Sequence, residues 1–362
     1  MGLKGPWRWT GLIPALLPWA LLSCFPALEQ EDFASGRVRV APIGAESDAV
    51  AEGPVVELQY LGVGGWRIET PHTVLLTAPL LTRPGLLEVG LGQVLTPDTA
   101  AILRTLAAWE VGDLGGVAAI LVGHGHYDHL LDAPWIAARL APRARILGNR
   151  TTRLQVLALA PGLGLDTLRV EDVGAWAASP EAPGSWIPVS RDVRVLPVRG
   201  DHAPHFAGHT LYSGVRTTPL PAPPGPASDW LDGQTLAFLV DVLKEDGSVG
   251  LRLYYHDGIP REPAGTLPPA VLEDGVPVHA AFLVPASFAE VDWHPEVLVQ
   301  NLRPETVLVQ HWEDFFSPAL APAEPVVFTI LPDFMVRLKR VMGCQACVHL
   351  PKPGTRFTYP LR

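Results

Sequence analysis

The pattern of apolar and polar positions predicts strands that alternate with helices from Val55 onward. Apolar runs divided by glycine, such as VVELQYLGVGGWRIET, indicate strands, and the wholly apolar GVAAILVG is typical of a strand buried on both faces. Helical spacing appears in TAAILRTLAAWE. Shortly before this stretch, Thr96 suits the cap of the helix and Pro97 its first helical position. Later runs repeat this mixture, with a hairpin at QTLAFLVDVLKEDGSVGLRLYYHDG and a closing helix at FMVRLKRVM. Because several apolar strands need cover on both faces, we predict a layered α/β domain.

The chain divides into three parts. Residues 1–24 place two basic residues ahead of the apolar run GLIPALLPWALLS, which is too short to span a bilayer and is typical of a secretory signal. The run ends in LLSC, which is similar to a bacterial lipobox, so Cys24 is predicted to carry a lipid; an ordinary cleaved signal with an incidental cysteine is the alternative. Residues 25–54 lack sustained periodicity and are predicted to be a flexible tether. Residues 55–362 contain no linker-like segment, so we expect one domain there.

These predictions place the protein outside the cytoplasm. A lipid on Cys24 would hold it at a membrane surface in the bacterial cell envelope. Two further cysteines, Cys344 and Cys347, are spaced as CxxC, which in an oxidising compartment permits a local disulfide. The pair offers too few ligands for a structural zinc site and lacks the βαβ context of a thioredoxin motif, so a structural disulfide is predicted.

Composition excludes some classes of protein. Hydrophobic residues make up 48% of the chain and charged residues only 18%, which is the balance of a globular protein rather than a disordered one. The formal net charge of −10 argues against a nucleic-acid partner, because binding to a phosphate backbone depends on Lys and Arg. An anionic small molecule remains compatible, since a bound metal ion can dominate the local field.

The chemistry of the chain is concentrated in GHGHYDHL, directly after the buried strand GVAAILVG. Here His124, His126, Asp128 and His129 fall within six residues. Two residues apart in extended backbone, His124 and His126 project to the same side, whereas Asp128 and His129 come where the chain turns into a helix and are aimed elsewhere. Imidazole and carboxylate are ligands for borderline divalent cations, so one segment can serve two metal ions.

Three later strands also end in, or contain, residues that bind metals. VRVLPVRG runs into His202 and His205, of which His202 follows its strand more closely and is preferred, and TVLVQ runs into His311. The strand AFLVDV holds Asp241 in an apolar run, where a carboxylate is costly unless it is paired or metal-bound. We therefore add these residues to the candidate ligands.

The motif HxHxDH, with further ligands later in the chain, resembles the metallo-β-lactamase-fold hydrolases. GHGHYDHL and QHWEDFF are most similar to the branch that contains ascorbate-phosphate lactonases and N-acyl-phosphatidylethanolamine phospholipases. The resemblance implies a single-domain, four-layer αββα sandwich with its site at one edge of the two sheets. It also implies two divalent cations, with zinc first and Mn²⁺ or Fe²⁺ as alternatives.

Carried over by residue, the resemblance assigns two sets of ligands and one bridge. The first metal takes His124, His126 and either His202 or His205; the second takes Asp128, His129 and His311; Asp241 bridges them. The chain departs from the family pattern at LLTAP, where an Asp-Pro pair is common, and at Asp241, which lies between valines rather than in a Gly-Asp pair. Candidate substrate-facing residues are His205, His209 and His256.

The function that this resemblance implies is an exported dinuclear hydrolase that uses a metal-bound hydroxide, with Asp128 or Asp241 orienting the nucleophile. The substrate is a small or lipid-like molecule, with a phosphodiester placed first and a lactone as the alternative. An iron-binding oxidoreductase on the same fold is a rival, although its HxExDH motif has glutamate where this chain has His126. A non-catalytic metal-binding protein is a second rival.

Overall fold

The computed structural model describes residues 28, 32–40, 53–205, 208–327 and 329–362. The predicted signal segment with Cys24, and most of the predicted tether, lie outside the described residues. Within the described part of the chain, no helix is both long and apolar enough to cross a membrane.

Two sheets of eight strands each form the centre of the described structure. In chain order the strands are β1 (Phe33–Ala34), β2 (Arg37–Arg39), β3 (Val55–Gly62), β4 (Gly65–Glu69), β5 (Val74–Thr77), β6 (Val117–Leu121), β7 (Arg145–Gly148), β8 (Val170–Asp172), β9 (Ile187–Pro188), β10 (Val193–Arg199), β11 (Leu236–Leu243), β12 (Val249–His256), β13 (Ala280–Leu283), β14 (Thr306–Val309), β15 (Val348–Pro351) and β16 (Arg356–Pro360). One sheet has the order β2-β16-β3-β4-β5-β6-β7-β8, and the other has the order β1-β15-β14-β13-β12-β11-β10-β9. The predicted hairpin is β11–β12.

The helices lie between and after these strands. They are α1 (Leu86–Gly90), α2 (Thr99–Ala108), α3 (Tyr127–Leu130), α4 (Ala133–Arg139), α5 (Arg150–Leu163), α6 (Pro269–Leu272), α7 (Glu296–Leu302) and α8 (Leu331–Met342). The cap of α2 is Asp98, whose side chain accepts a hydrogen bond from the Ala101 N–H, rather than the expected Thr96. Asp98 is a better acceptor at the position where helical backbone begins.

The packing confirms the predicted αββα sandwich. The two sheets face each other over one apolar core, in which Trp66 of β4 lies 4.7 Å from Phe282 of β13 between ring centroids. A second cluster covers the outer face of the first sheet, where Ile120 of β6 packs with residues of α2, α4 and α5. On the other side, α8 contributes Phe334 and Leu338 to the core of the second sheet. Since both sheets share one core, the layers form one unit.

Short strands in the predicted tether correct that prediction in part. β1 pairs in parallel with β15, and β2 pairs in parallel with β16. Both partners are otherwise edge strands with unpaired backbone groups, which a few extended residues can satisfy. Residues 33–34 and 37–39 therefore belong to the sandwich rather than to a tether.

The disulfide predicted from the CxxC spacing is present. Cys344 and Cys347 are bonded, with their Cα atoms 5.4 Å apart. They follow the end of α8, where Gly343 takes the left-handed conformation (φ 65°) that closes a helix. The bond therefore links the end of the last helix to the residue before β15.

The strand directions bring the carboxyl ends of four strands to one edge of the sandwich. β6 lies among parallel strands of the first sheet, and β12 and β14 run parallel to β13 in the second. β10 and β12 are both antiparallel to β11 and so share a direction. At the same edge the backbone of Leu236 donates a hydrogen bond of 2.8 Å to the Gly123 carbonyl, which ties the two sheets together.

Candidate metal centre

The loop after β6 is held in an extended form by close backbone approaches. The Gly123 N–H donates to an Asp257 oxygen at 2.8 Å, and the Gly125 N–H donates to the Asp232 carbonyl at 2.9 Å. A Cβ at Gly123 would lie 2.6 Å from the Asp257 Cγ, so only glycine allows this contact. His126 has extended backbone and immediately precedes α3, as the motif predicted.

The first set of converging side chains consists of His124, His126 and His202. One nitrogen of each ring lies within 4.8 Å of the other two. The His202 Nδ1 is 2.7 Å from the Ala203 carbonyl oxygen, so Nδ1 carries the proton and donates the hydrogen bond. The Nε2 lone pair is then free to bind a metal ion. Of the two histidines considered after β10, the structure therefore brings His202 into this set.

The second set consists of Asp128, His129 and His311, whose ligand atoms also lie within 4.8 Å of one another. One Asp128 oxygen is 3.3 Å from the His311 Nε2 and 3.4 Å from the His129 Nε2. The two sets are adjacent, since the rings of His124 and His129 are 4.3 Å apart between centroids. Residues from both sheets thus form one polar cluster at the shared edge.

Asp257 joins the cluster although sequence reasoning did not assign it a role. With His124 and His129 it makes a third group of potential ligands. One Asp257 oxygen, Oδ1, is 2.9 Å from the His124 Nδ1, and the other, Oδ2, is 2.8 Å from the Gly123 N. A carboxylate on the far nitrogen of an imidazole sets the tautomer and orients the ring for a metal. The available signal was YYHDG, where Asp257 follows directly after β12.

Asp241, the predicted bridging ligand, lies elsewhere, and that prediction is wrong. Its oxygens accept hydrogen bonds from the buried Arg252, at 2.7 and 3.0 Å, and from Arg194, at 2.8 and 3.0 Å. In the β11–β12 ladder Asp241 pairs with Arg252. Arg252 precedes His256, the last residue of β12, by four residues, which is about 13 Å along a strand. The apolar surroundings did signal a partnered carboxylate, but the partners are guanidinium groups.

The three residues predicted to face the substrate differ in position. The ring of His205 stacks on that of His202 at 4.6 Å, and its Nδ1 accepts a hydrogen bond from the Leu211 N–H at 3.0 Å. The His209 side chain is exposed outside the cluster. His256 is only 1% exposed, and its Nδ1 accepts a hydrogen bond from the Gly258 N–H, so it is buried and not on the protein surface.

The loop that contains the LLTAP segment is held by a carboxylate from another element. Asp132, at the start of α4, is fully buried, and one of its oxygens accepts hydrogen bonds from the Leu81 and Thr82 N–H groups at 2.6 and 2.7 Å. Burial raises the pKa of Asp132 to about 6. The loop after β5 is thereby fixed by a carboxylate from the histidine-bearing segment.

Burial sets the charge states at the centre. It holds the pKa of His124, His126 and His202 below the ordinary value, and their neighbouring imidazoles add to this shift for His124 and His126. Neutral imidazole is the form that binds a metal. Burial opposes ionisation of Asp128 as well, but His129 and His311 outweigh it and hold the pKa of Asp128 well below its usual range.

The donor set fits divalent cations. Each set combines imidazoles with at most one carboxylate, which suits zinc better than magnesium or calcium. Among the described residues, the His126 Nε2, His129 Nδ1 and His311 Nδ1 are buried without a hydrogen-bond partner. Several unpaired polar atoms in one buried cluster are costly, and a metal ion bound at such a nitrogen would offset that cost.

No family model matches the sequence, and no curated protein matches it. Comparison with solved structures finds Igni18, a metallo hydrolase from the archaeon Ignicoccus hospitalis, at 14% identity, with 85% of this chain and 100% of that chain covered and a TM-score of 0.48. It also finds the metallo-β-lactamase fold protein YhfI from Bacillus subtilis, at 11% identity, with 84% and 100% covered and a TM-score of 0.46.

A further similar structure is CmlA, a diiron β-hydroxylase from Streptomyces venezuelae. The identity is 14%, 86% of this chain and 55% of that chain are covered, and the TM-score is 0.49. A metallo hydrolase and a diiron β-hydroxylase thus both occur among the similar structures. The fold of the present chain is defined by its own layers and strand order, and the case for its function rests on its own side chains.

Exchanging each of two buried aspartates for asparagine should separate their roles. Asp241→Asn leaves the buried Arg252 without its full charge partner, so we expect a loss of about 3 kcal/mol in the free energy of unfolding. Metal affinity should not change. Asp257→Asn removes the carboxylate that orients His124, so we expect metal affinity to fall roughly 10–100-fold. Denaturant unfolding and competition with a chelator measure the two quantities. The opposite pattern, with Asp241→Asn losing metal, would restore Asp241 to the centre.

Proposed function

We propose that this protein is a hydrolase that works with two divalent metal ions, zinc in the first place. One observation carries the proposal. Two sets of three ligand side chains, each converging within 4.8 Å, lie side by side at the edge where four strands end. Both sets are mostly buried, and a protein that needed a single structural ion would have no use for the second set.

In this proposal His124, His126 and His202 hold the first ion, and Asp128, His129 and His311 hold the second. Two bound cations supply Lewis acidity and lower the pKa of a water molecule, which makes a nucleophile available near neutral pH. Asp257 keeps His124 in the tautomer whose Nε2 faces the site. Asp128, as a carboxylate ligand of the second set, would orient an attacking water.

The rival readings follow from the same side chains. An iron centre is the first rival, but His126 supplies an imidazole where the HxExDH motif of the iron-binding oxidoreductases has glutamate. A neutral three-histidine set is typical of catalytic zinc. We therefore expect zinc before manganese or iron(II), and elemental analysis of the purified protein distinguishes the three metals.

Purified protein reconstituted with zinc should hold close to two ions per chain. Asp128→Ala and His311→Ala should each lower the stoichiometry to about one and abolish turnover, because they remove ligands of one set only. His209→Ala, which changes an exposed histidine outside the cluster, is the matched control and should retain both ions. Elemental analysis alongside circular dichroism measures this. Natively folded wild-type protein that binds no metal would contradict the proposal.

For the substrate we propose a phosphodiester, because two cations match the charge of a phosphate. Arg83, the basic residue in the loop after β5, is bound to Glu313, so anion binding would fall to the ions. Aromatic rings stand beside the cluster, with Phe315 5.0 Å from His311 and Tyr212 6.4 Å from His126 between centroids. These apolar walls suit a small or lipid-like molecule that carries a phosphate.

A side-by-side assay tests the choice of substrate. The zinc-loaded enzyme should hydrolyse bis(p-nitrophenyl) phosphate faster than a simple lactone and much faster than nitrocefin, with Asp128→Ala as the blank. The order should reflect how strongly two cations stabilise an anionic phosphoryl group. A lactone rate well above the blank, beside a phosphodiester rate no higher than the blank, would make the protein a lactonase.

We also propose that the protein is exported and anchored by a lipid on Cys24, which the motif LLSC supports. Cys24→Ser should move the protein from the membrane fraction to a soluble fraction of cells, because the acyl chains are lost. Mass spectrometry of the N-terminal peptide is the complementary measurement. If both forms fractionate alike and no lipid is found, the segment is a plain secretory signal.

A further inference from the structure

His311 is the ligand with the most demanding backbone. It follows β14 by two residues and has φ 55°, in the left-handed region that non-glycine residues rarely adopt. Val63, in the turn between β3 and β4, has φ 51°. Such conformations persist only where the surrounding contacts over-determine them, so the neighbours of His311 need to be identified.

Three buried side chains hold these two backbone segments together; we call Tyr60, Glu313 and Arg83 the buried trio. The Tyr60 hydroxyl accepts a hydrogen bond from the His311 N–H at 2.9 Å and donates one to the Glu313 Oε2 at 2.6 Å. The Glu313 Oε1 accepts from the Val63 N–H at 2.6 Å and lies 3.3 Å from the Arg83 Nη2. The trio therefore contacts both strained positions.

Burial of the charged side chains of the trio costs free energy. Tyr60 is fully buried, and the side chains of Glu313 and Arg83 are each 3% exposed. A Cβ at Gly62 would lie 2.7 Å from the Glu313 Oε1, so the chain has glycine, with φ 81°, where the carboxylate needs room. An apolar trio of similar volume would pack here without burying charges. The presence of a charged trio therefore indicates that directional hydrogen bonds, and not only packing volume, are needed at this position.

These hydrogen bonds extend to the second set of candidate ligands. The Tyr60 hydroxyl holds the backbone N–H of His311, and the His311 Nε2 lies 3.3 Å from the Asp128 Oδ2. The three members come from β3, from the loop after β5 and from the segment after β14, so they join three separate parts of the chain at this ligand. The first set, His124, His126 and His202, has no contact with the trio among the described hydrogen bonds and ion pairs.

We propose that the buried trio is the positioning device for the second metal: it holds the backbone of His311 so that its ring meets Asp128 and His129. Tyr60 and Glu313 are positioning residues, since they act through His311 and do not themselves line the ligand set. This inference rests on the metal centre proposed above, but its effect on the His311 backbone is measurable without metal.

The test compares Tyr60→Phe and Glu313→Gln with Tyr359→Phe. Tyr359 is also buried, and its hydroxyl is 2.8 Å from the Thr306 hydroxyl at the start of the same strand, β14. Its substitution removes one buried hydrogen bond at the other end of that strand. Circular dichroism and denaturant unfolding establish that each variant is folded.

The trio variants should bind the second ion roughly 10–100-fold more weakly and keep the affinity for the first, as loss of a supporting partner does elsewhere. At full loading with cobalt(II), the absorption bands of the second site should shift in both trio variants and not in Tyr359→Phe. In the metal-free protein, hydrogen exchange of the segment around His311 should be faster in both trio variants than in the wild type, and unchanged in Tyr359→Phe.

Each alternative result has a definite meaning. Equal weakening of the second ion in Tyr359→Phe would show that only general stability is involved, and unchanged affinity in the trio variants would show that His311 holds its place without them. Either result overturns the inference while leaving two metals in the wild type. If the wild type binds no second ion, the proposed function fails at that point. Unchanged exchange at His311 in Tyr60→Phe would then overturn the positioning role as well.

Discussion

Keeping several imidazoles and carboxylates buried at one edge of a sandwich is the constraint on which the rest of this structure depends. Strand ends from both sheets meet there, and each delivers polar side chains into a region that apolar residues otherwise fill. A buried polar group is stable only if it has a partner. The tight glycine contacts, the carbonyl on His202 Nδ1 and the carboxylate on His124 Nδ1 all serve that need.

The two buried aspartates of the β11–β12 hairpin show how position decides chemistry. Both are at most 1% exposed and both have partners. Asp241 lies within its strand and meets Arg252 on the neighbouring strand, which makes it part of a structural ion pair. Asp257 lies just beyond the end of β12 and meets His124, which makes it part of the centre. The difference between them is distance along the ladder rather than residue type or burial.

The layers around the centre link the strand ends that carry its residues. Trp66 stands between the sheets, and its indole N–H donates to the Gln310 Oε1 at 2.6 Å, while the Gln310 Nε2 donates to the His256 carbonyl at 2.7 Å. The ends of β12 and β14 are thereby tied to β4. Because ligand geometry must hold to a fraction of an ångström, such links between packed strands matter as much as the ligands themselves.

The sequence by itself determined the fold class, the helix–strand order and the adjacent candidate ligands His124, His126, Asp128 and His129, because these depend on local periodicity and on the spacing of a short motif. It also indicated His202 and His311, since each follows an apolar strand. Only the tertiary structure paired Asp241 with Arg252, brought Asp257 to His124, bound Asp132 to the loop after β5, and buried His256. Those outcomes depend on strand direction and register between segments far apart in the chain, which no local pattern of residues records.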